Sequence, residues 1–391
     1  MKLLVIISLA LLPVILWSQV LTGADQTDKY FTLLKGKHIA IVANNASMVL
    51  NKAGAPGVNL ADTLFRMGFS LEKIFSPEHG FRSNSEAGAK VSDEFDSATG
   101  IKIISLYGKK KKPHPADLKQ INLMVFDLQD VGVRFFTYLS TLTYVMEACA
   151  EQNIPVLILD RPNPNGFYID GPVLEKPFAS FVGLHQVPVV YGMTIGEYAR
   201  MVNGEKWLKN GVRCDLKIIP LKNYSHVTRT LTMVKPSPNL TTMNAILLYP
   251  SLCFFEGTCV SVGRGTDHPF EIFGHPDIHN ATFSFIPVSI PGMSLHPLYE
   301  GRKCFGTNLQ AIPVSDGGQG GKINLGWLIS TFREMGSDPG FFTNYFDQLA
   351  GTGKLRQQIL EGKSEEEIRK SWQQTIEEFK KIRKKYLLYP D

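Results

Sequence analysis

The hydrophobic positions between residues 37 and 219 fall into short runs separated by longer amphipathic segments. The short runs predict strands at residues 38–42, 73–75, 102–105, 123–126, 156–159 and 216–219. The amphipathic segments predict helices at residues 60–67, 138–151 and 195–208, the last preceded by Thr194 and Glu197 in capping-box spacing. Buried strands that alternate with helices are typical of a parallel sheet covered on both faces. The pattern therefore predicts an α/β fold with a mostly parallel sheet.

The alternation of strands and helices is lost in the C-terminal part of the chain. A tract rich in proline and glycine covers residues 264–292, and we place a domain boundary near Phe273. A final amphipathic helix is predicted at residues 364–386, with Ser364 and Glu367 as its capping box. These features predict a Rossmann-type sheet domain at 19–273 and a smaller C-terminal α+β domain at 274–391.

The first residues have the composition of a signal peptide. Lys2 precedes an unbroken apolar run at residues 3–17, and polar residues begin at Ser18. The run is shorter than the roughly 20 residues that span a bilayer as a helix, and it contains Pro13. We therefore expect residues 1–18 to be a signal peptide and the mature protein to be periplasmic or extracellular, without stable membrane insertion. A retained membrane anchor is the alternative.

The composition is that of a globular protein and gives little support to nucleic-acid binding. Hydrophobic residues make up 44% of the 391 residues, and the net charge is only +5. The five cysteines form no C-x-x-C pair, so we expect mostly buried thiols rather than a disulfide scaffold.

Several cofactor and nucleophile motifs are absent from the sequence. Residues 44–47 (NNAS), which follow the first predicted strand, do not match G-x-G-x-x-G, and there is no P-loop and no G-x-S-x-G elbow. His275 and His279 do not form the H-E-x-x-H zinc motif, and Pro276 disfavours one continuous helix. We therefore expect no nucleotide, no other cofactor and no metal.

Polar residues follow the predicted strands where ligands bind to such sheets, beyond the carboxyl ends of the strands. They include Asn44 and the segments SPEHGFR (76–82), DLQDVGVR (127–134) and DRPNP (160–164). The functional candidates in these segments are Glu78, His79, Arg82, Asp127, Gln129, Asp130, Arg134, Asp160, Arg161 and Asn163.

Carboxylates clustered at one edge of the sheet are consistent with glycoside hydrolysis. This reaction needs a proton donor for the leaving oxygen and a second group that attacks, stabilises the developing cation or activates water. Glu78 is the best donor candidate, because Phe81 nearby offers apolar surroundings; an ion pair with Arg82 is the structural alternative. Asp127, Asp130, Asp160 and Glu256 remain open for the second role.

The same segments carry a resemblance to a known family. Together with FTY (136–138), YGMT (191–194), Glu256-Gly257 and GRGT (263–266), they resemble the motif set of NamZ-type exo-β-N-acetylmuramidases, glycoside hydrolase family 171. The resemblance extends from about Gly36 to the C-terminus. It implies a Rossmann-like domain without a nucleotide, a smaller C-terminal domain and an active site in the cleft between them. It also implies release of N-acetylmuramic acid from the non-reducing ends of peptidoglycan fragments.

Under this resemblance we expect Glu78 to be the general acid, His79 to orient it, and Asp127 or Asp130 to support water or the oxocarbenium ion. The lactyl carboxylate of muramic acid requires a cation, for which Arg82, Arg134, Arg161 and Arg264 are candidates. Asn44, Gln129, Tyr138, Asp160, Asn163 and Glu256 complete the predicted substrate-binding set. Two other functions stay open: an envelope protein that binds muropeptides or glycans without catalysis, and a metal-dependent amidase or esterase.

Overall fold

The computed structural model describes residues 19–50, 57–82, 94–230, 234–312 and 321–391. The predicted signal peptide at residues 1–18 lies outside these ranges. None of the helices within them is long and apolar enough to cross a bilayer.

A seven-stranded sheet forms the centre of the N-terminal part. In spatial order its strands are β5 (Glu94–Phe95), β6 (Lys102–Ser105), β4 (Leu71–Ser76), β1 (Ile39–Ala43), β7 (Leu123–Asp127), β8 (Val156–Leu159) and β9 (Leu216–Ile219). All neighbours pair in parallel except β5, which is antiparallel to β6 at the edge. A short antiparallel pair, β2 (Met48–Val49) and β3 (Val58–Asn59), follows β1. The predicted parallel sheet is thereby confirmed.

Helices cover both faces of this sheet, which explains why its central strands β1, β7 and β8 are buried along their whole length. They are α1 (Thr27–Leu34), α2 (Leu60–Arg66), α3 (Tyr138–Glu151), α4 (Ile195–Gly204) and α5 (Met243–Leu252). Alternate residues of β1 point to opposite faces: Ala40 and Val42 join one hydrophobic cluster, and Ile39 and Ile41 join the other.

Local sequence signals set several helix ends. Thr194 accepts a hydrogen bond from the backbone N–H of Glu197 at the start of α4, and the Glu197 side chain accepts one from the backbone N–H of Thr194. Ser364 and Glu367 form the same reciprocal pair before the final helix. Both predicted capping boxes are thus present.

The C-terminal part contains a small antiparallel sheet and four helices. The sheet order is β10 (Ile272–His275), β12 (Cys304–Asn308) and β11 (Phe283–Phe285). The helices are α6 (Gly326–Glu334), α7 (Tyr345–Ala350), α8 (Lys354–Leu360) and α9 (Glu365–Arg383). Ile368, Trp372, Ile376 and Phe379 of α9 are buried, as the predicted apolar stripe requires. The predicted boundary near Phe273 falls inside β10.

Candidate functional site

A cavity of about 530 Å³ lies beyond the carboxyl ends of β4 and β6. Its wall contains two carboxylates, several aromatic rings and two cations, Lys111 and Arg264. The lining residues used below are Glu78, His79, Tyr107, Lys111, Thr137, Tyr138, Phe181, Ser237, Tyr249, Glu256, Arg264, Phe270, Tyr345 and Gln348. Five predicted site residues are therefore in one place: Glu78, His79, Tyr138, Glu256 and Arg264.

A tight turn directly after β4 places Glu78 and His79 in the cavity. His79 has a φ of 73° and Gly80 a φ of 78°, both in the left-handed region, and the Gly80 N–H donates to the Pro77 carbonyl at 3.1 Å. A histidine in this conformation is uncommon and is held in place by its surroundings. His79 is buried, and its Nε2 lies 3.3 Å from the Ser237 hydroxyl.

Two hydroxyl groups lie beside the Glu78 carboxylate. The Thr137 hydroxyl donates to Oε2 at 2.9 Å, and the Tyr107 phenol is close enough to interact electrostatically with the carboxylate. Burial and the Glu78 charge raise the pKa of Tyr107 well above its ordinary value, so the phenol stays protonated and can act as a donor. The carboxyl group is therefore oriented by its neighbours at the wall of the cavity, where an acid or base would act.

Glu256 and Arg264 form a second charged pair in the cavity. The Arg264 Nε donates to Glu256 Oε1 at 2.7 Å, and the guanidinium carbon lies 5.1 Å from the centre of the Phe270 ring. Burial opposes the charge of Arg264, but the Glu256 carboxylate outweighs it and raises the pKa of the guanidinium. About a quarter of the Arg264 side chain is exposed, so this permanent cation is accessible from the cavity.

Tyr138 lines the cavity, and Asn44 supports it from behind. The Asn44 amide donates to the Tyr138 hydroxyl at 2.7 Å, and that hydroxyl donates to the Pro236 carbonyl at 2.9 Å. Asn44 is 1% exposed. Its contact with a substrate would therefore be indirect, through Tyr138.

Asp127 and Asp130, the expected second catalytic groups, lie outside the cavity wall as described. Asp127 is fully buried at the end of β7, where Arg161 Nε and Nη2 donate to its two oxygens at 2.6 and 2.9 Å. Asp130 accepts from the Gly132 N–H at 2.7 Å and from the Tyr191 hydroxyl. Burial raises the pKa of Asp130 from 3.8 to about 6. Asp127 is bound through both of its oxygens, whereas Asp130 is bound through Oδ2 and its Oδ1 is buried without a hydrogen-bond partner among the described residues.

Arg82 and Arg134, two of the expected lactyl-binding arginines, donate to protein acceptors, and only Nε of Arg134 has no partner among the described residues. Arg82 binds the carboxylates of Asp62 and Asp96 at 2.8–3.0 Å, rather than the neighbouring Glu78. Arg134 is 2% exposed and donates to four backbone carbonyls, those of Pro172, Val187, Leu349 and Ala350, at 2.8–2.9 Å. Its burial lowers its pKa to about 9.

Gln129, Asp160 and Asn163 stabilise loops and helix ends. The Gln129 amide donates to the Pro162 carbonyl at 2.7 Å, and the Asn163 amide donates to the Met193 carbonyl at 2.8 Å. Asp160 accepts from the Gly196 N–H and the Thr194 hydroxyl at the start of α4, and from the Tyr389 hydroxyl. These contacts assign a structural function to each side chain.

The possible metal ligands are dispersed. Within the described residues there is no group of three His, Cys, Asp or Glu side chains that could hold an ion. His275 lies in β10, with its Nδ1 3.8 Å from Asp277. The five cysteines are free thiols, four of them buried.

Several cavity residues were not among the sequence candidates. Tyr107 follows β6, so the rule that selected the other strand ends would have found it. Thr137 lies within the FTY segment that carried the resemblance, but its hydroxyl had no evident partner. Tyr345 and Gln348 come from α7, in a region without a regular pattern, and only the folded chain brings them to the cavity.

Fold and site together define a two-domain α/β protein with a polar, carboxylate-bearing cavity at the edge of its parallel sheet. The chain belongs to the NamZ family: the model for "Exo-beta-N-acetylmuramidase NamZ, N-terminal" matches residues 39–244, and the C-terminal model matches residues 247–389. The two matched regions meet near residue 245, before the predicted boundary at Phe273. Residues from both regions line the cavity.

Similar proteins extend over nearly the whole chain. The peptidoglycan β-N-acetylmuramidase NamZ of Bacillus subtilis (strain 168) is 38% identical, over 95% of this chain and 92% of its own length. A crystal structure of a DUF1343 family protein from Bacteroides fragilis NCTC 9343 is 45% identical and superimposes with a TM-score of 0.87, covering 96% of this chain and 100% of its own. A second such protein from the same organism is 25% identical, with a TM-score of 0.79 and coverage of 95% and 99%.

Proposed function

We propose that this protein is a glycoside hydrolase that removes N-acetylmuramic acid from the non-reducing ends of peptidoglycan-derived glycans. The full-length similarity to a relative named as a peptidoglycan β-N-acetylmuramidase supports the substrate and the reaction. The observation that carries the proposal is the Glu78 carboxylate, oriented by Thr137 and Tyr107 at the wall of the cavity.

In this proposal Glu78 is the general acid that protonates the leaving oxygen. A carboxyl group delivers a proton efficiently when its orientation is fixed relative to the scissile bond, and the hydrogen bond from Thr137 fixes that of Glu78. His79 positions the turn through its contact with Ser237. Tyr138, with Asn44 behind it, forms part of the surface against which the sugar binds.

Asp127 and Asp130 act indirectly in this proposal. Each is buried and accepts hydrogen bonds from the protein, and neither lines the cavity in this arrangement. The carboxylates on the described cavity wall are Glu78 and Glu256.

The activity can be tested with purified protein and an aryl β-glycoside of N-acetylmuramic acid, with and without a chelator. We expect release of the aryl group that the chelator does not change. Binding without release would support the glycan-binding alternative, and loss of activity with chelator would support the metal-dependent one.

We also propose export of the protein, supported by Lys2 and the apolar run at residues 3–17. Mass spectrometry of the protein recovered outside the cytoplasm should show a chain that starts shortly after Trp17. An intact Met1 would contradict cleavage.

A further inference from the structure

The described cavity wall has one cation that is both partly buried and fixed by a protein partner. Of the two cations on the described cavity wall, Lys111 is exposed at the rim, with its ammonium 4.6 Å from the centre of the Phe181 ring. Arg264 lies deeper, between Glu256 and the Phe270 ring. A fixed, partly desolvated guanidinium is better suited than a mobile lysine to bind one carboxylate selectively.

Arg264 has hydrogen-bonding capacity that the described part of the chain does not use. A guanidinium carries five N–H donors, and Glu256 accepts from Nε. Nη1 is buried and has no hydrogen-bond partner among the described residues. Native proteins rarely leave a buried charged donor in this state, because it has lost its water without gaining a partner. Nη2 also makes no hydrogen bond to the described residues and is not among the buried atoms, so an anionic ligand in the cavity would supply an acceptor for it.

The other arginines considered for an anionic substrate are committed elsewhere. Arg82 binds two aspartates, Arg134 binds four backbone carbonyls, and Arg161 binds Asp127. Each of these contacts is made by the guanidinium group itself. Among the four candidate arginines, Arg264 is the one that lines the cavity.

We propose that Arg264 binds the lactyl carboxylate of the terminal N-acetylmuramic acid, and that Glu256 is a positioning residue that holds the guanidinium for this contact. The proposal rests on the function proposed above and identifies the group that would distinguish muramic acid from other N-acetylated hexosamines. Glu256 fixes one edge of the guanidinium, and the remaining donors face the substrate carboxylate.

The backbone around Arg264 is built for this fixed position. Gly263 and Gly265 have φ values of 75° and 80°, and a Cβ at either would lie 2.5 Å from a neighbouring side chain, Ile272 or Pro297. The two glycines therefore allow tight packing of the loop on the protein itself. Their function is to place Arg264, and close approach of the sugar is not needed to explain them.

The experiment compares two aryl glycosides, one of N-acetylmuramic acid and one in which the lactyl carboxylate is a carboxamide. The amide keeps the size of the group and removes its charge. We expect the wild-type kcat/KM to be roughly 10²-fold higher for the acid than for the amide, because a desolvated charge pair contributes a free energy of that size. Arg264→Met should bring this ratio close to one, mainly through KM for the acid, and Arg264→Lys should retain part of it. Lys111→Met is the matched control and should leave the ratio unchanged.

Glu256→Gln separates positioning from catalysis. We expect it to reduce the acid-to-amide ratio, because kcat/KM falls more for the acid than for the amide. Loss of turnover on both glycosides with the ratio retained would make Glu256 a catalytic group and overturn its assignment. An unchanged ratio in folded Arg264→Met and Arg264→Lys variants would overturn the lactyl site. If the wild type hydrolysed neither glycoside, the proposed function itself would fail, and binding of free N-acetylmuramic acid by calorimetry would still test Arg264.

Discussion

Individual residues of one sequence segment perform different tasks in this protein. In the segment after β4, Glu78 faces the cavity, whereas Arg82, four residues later, forms ion pairs with Asp62 and Asp96. In the segment after β7, Asp127 and Asp130 are buried in protein contacts. A sequence motif at a strand end thus contains groups that contact the ligand and groups that fix the loop. The partners that distinguish them, such as Arg161 for Asp127, are distant in sequence.

The hydroxyl groups of Thr137 and Tyr107 should contribute to catalysis by orienting the Glu78 carboxylate. Tyr107→Phe removes the phenol hydroxyl beside the carboxylate and keeps the ring, so we expect kcat to fall by roughly tenfold, as for the loss of one polar partner of the general acid, with little change in KM. Steady-state kinetics on the aryl muramic glycoside provides the measurement. Tyr144→Phe, which alters a tyrosine packed on Phe181 away from Glu78, is the control. An unchanged kcat in Tyr107→Phe would remove Tyr107 from this function.

Asp130 should make stability depend on pH in a direction opposite to that of most surface carboxylates. Burial raises its pKa from 3.8 to about 6, so the folded chain binds this proton more tightly than the unfolded chain. Its contribution favours folding below about pH 4 and is lost as the pH rises through 6. Asp130→Asn should therefore gain stability relative to the wild type between pH 4 and 7, by up to about 2–3 kcal/mol. Urea unfolding at several pH values measures this, and a constant difference between the proteins would contradict it.

At the scale of elements, the two capping boxes differ in what they support. Thr194 caps α4 and also donates to the buried Asp160 at 2.7 Å, whereas Ser364 caps α9 at an exposed end. We expect Thr194→Ala to lower the free energy of unfolding by about 2 kcal/mol and Ser364→Ala by about 0.5–1 kcal/mol. Denaturant unfolding compares the two variants directly. Equal losses of unfolding free energy in the two variants would show that the contact between Thr194 and Asp160 does not stabilise the protein.

The predicted elements agree with the structure where packing and periodicity act together. The strands predicted at 102–105, 156–159 and 216–219 have the observed bounds, because each is a short run that contains adjacent apolar residues. The sequence did not predict β5, a two-residue antiparallel edge strand whose residues are exposed. The three strands of the C-terminal sheet were also not predicted. Long loops separate them, and Gly274 of β10 and Gly306 of β12 interrupt the apolar pattern of those two strands.

For the whole molecule, Arg134 connects the sheet domain to the helix that completes the cavity. Its Nη2 donates to the carbonyls of Leu349 and Ala350 at the end of α7, which also carries Tyr345 and Gln348 of the cavity wall. Arg134→Met leaves four buried carbonyls without this donor. We expect a loss of about 3 kcal/mol or more in stability. We also expect lower kcat/KM, although Arg134 lies outside the cavity wall.

Arg200→Met is a matched control for this variant. Arg200 also donates to two backbone carbonyls, those of Tyr386 and Leu387, but does not contact α7 through these bonds. We expect this variant to lose stability with kcat/KM retained. If Arg134→Met lost stability and kept full activity under conditions where it is folded, α7 would not need this contact to complete the cavity.

The site as a whole was only partly predictable, because it depends on distant parts of the chain. Glu78 and His79 could be found from a strand end, and Arg264 from a family resemblance. The contributions of Tyr345 and Gln348 depend on how α7 packs on the rest of the protein, through contacts such as those of Arg134. No periodicity in the sequence encodes that packing.

The most direct test of the central claim is mass spectrometry of the products that wild type and Glu78→Gln release from a glycan fragment with N-acetylmuramic acid at its non-reducing end. The wild type should release one free N-acetylmuramic acid from that end of each fragment and leave the rest of the glycan intact. Glu78→Gln, folded with an unchanged melting curve, should be slower by roughly 10²-fold or more, because the amide keeps the size of the side chain but cannot donate the proton. Near-wild-type release by Glu78→Gln would contradict the assignment of the general acid. Release of another sugar, or cleavage within the chain, would contradict the proposed function.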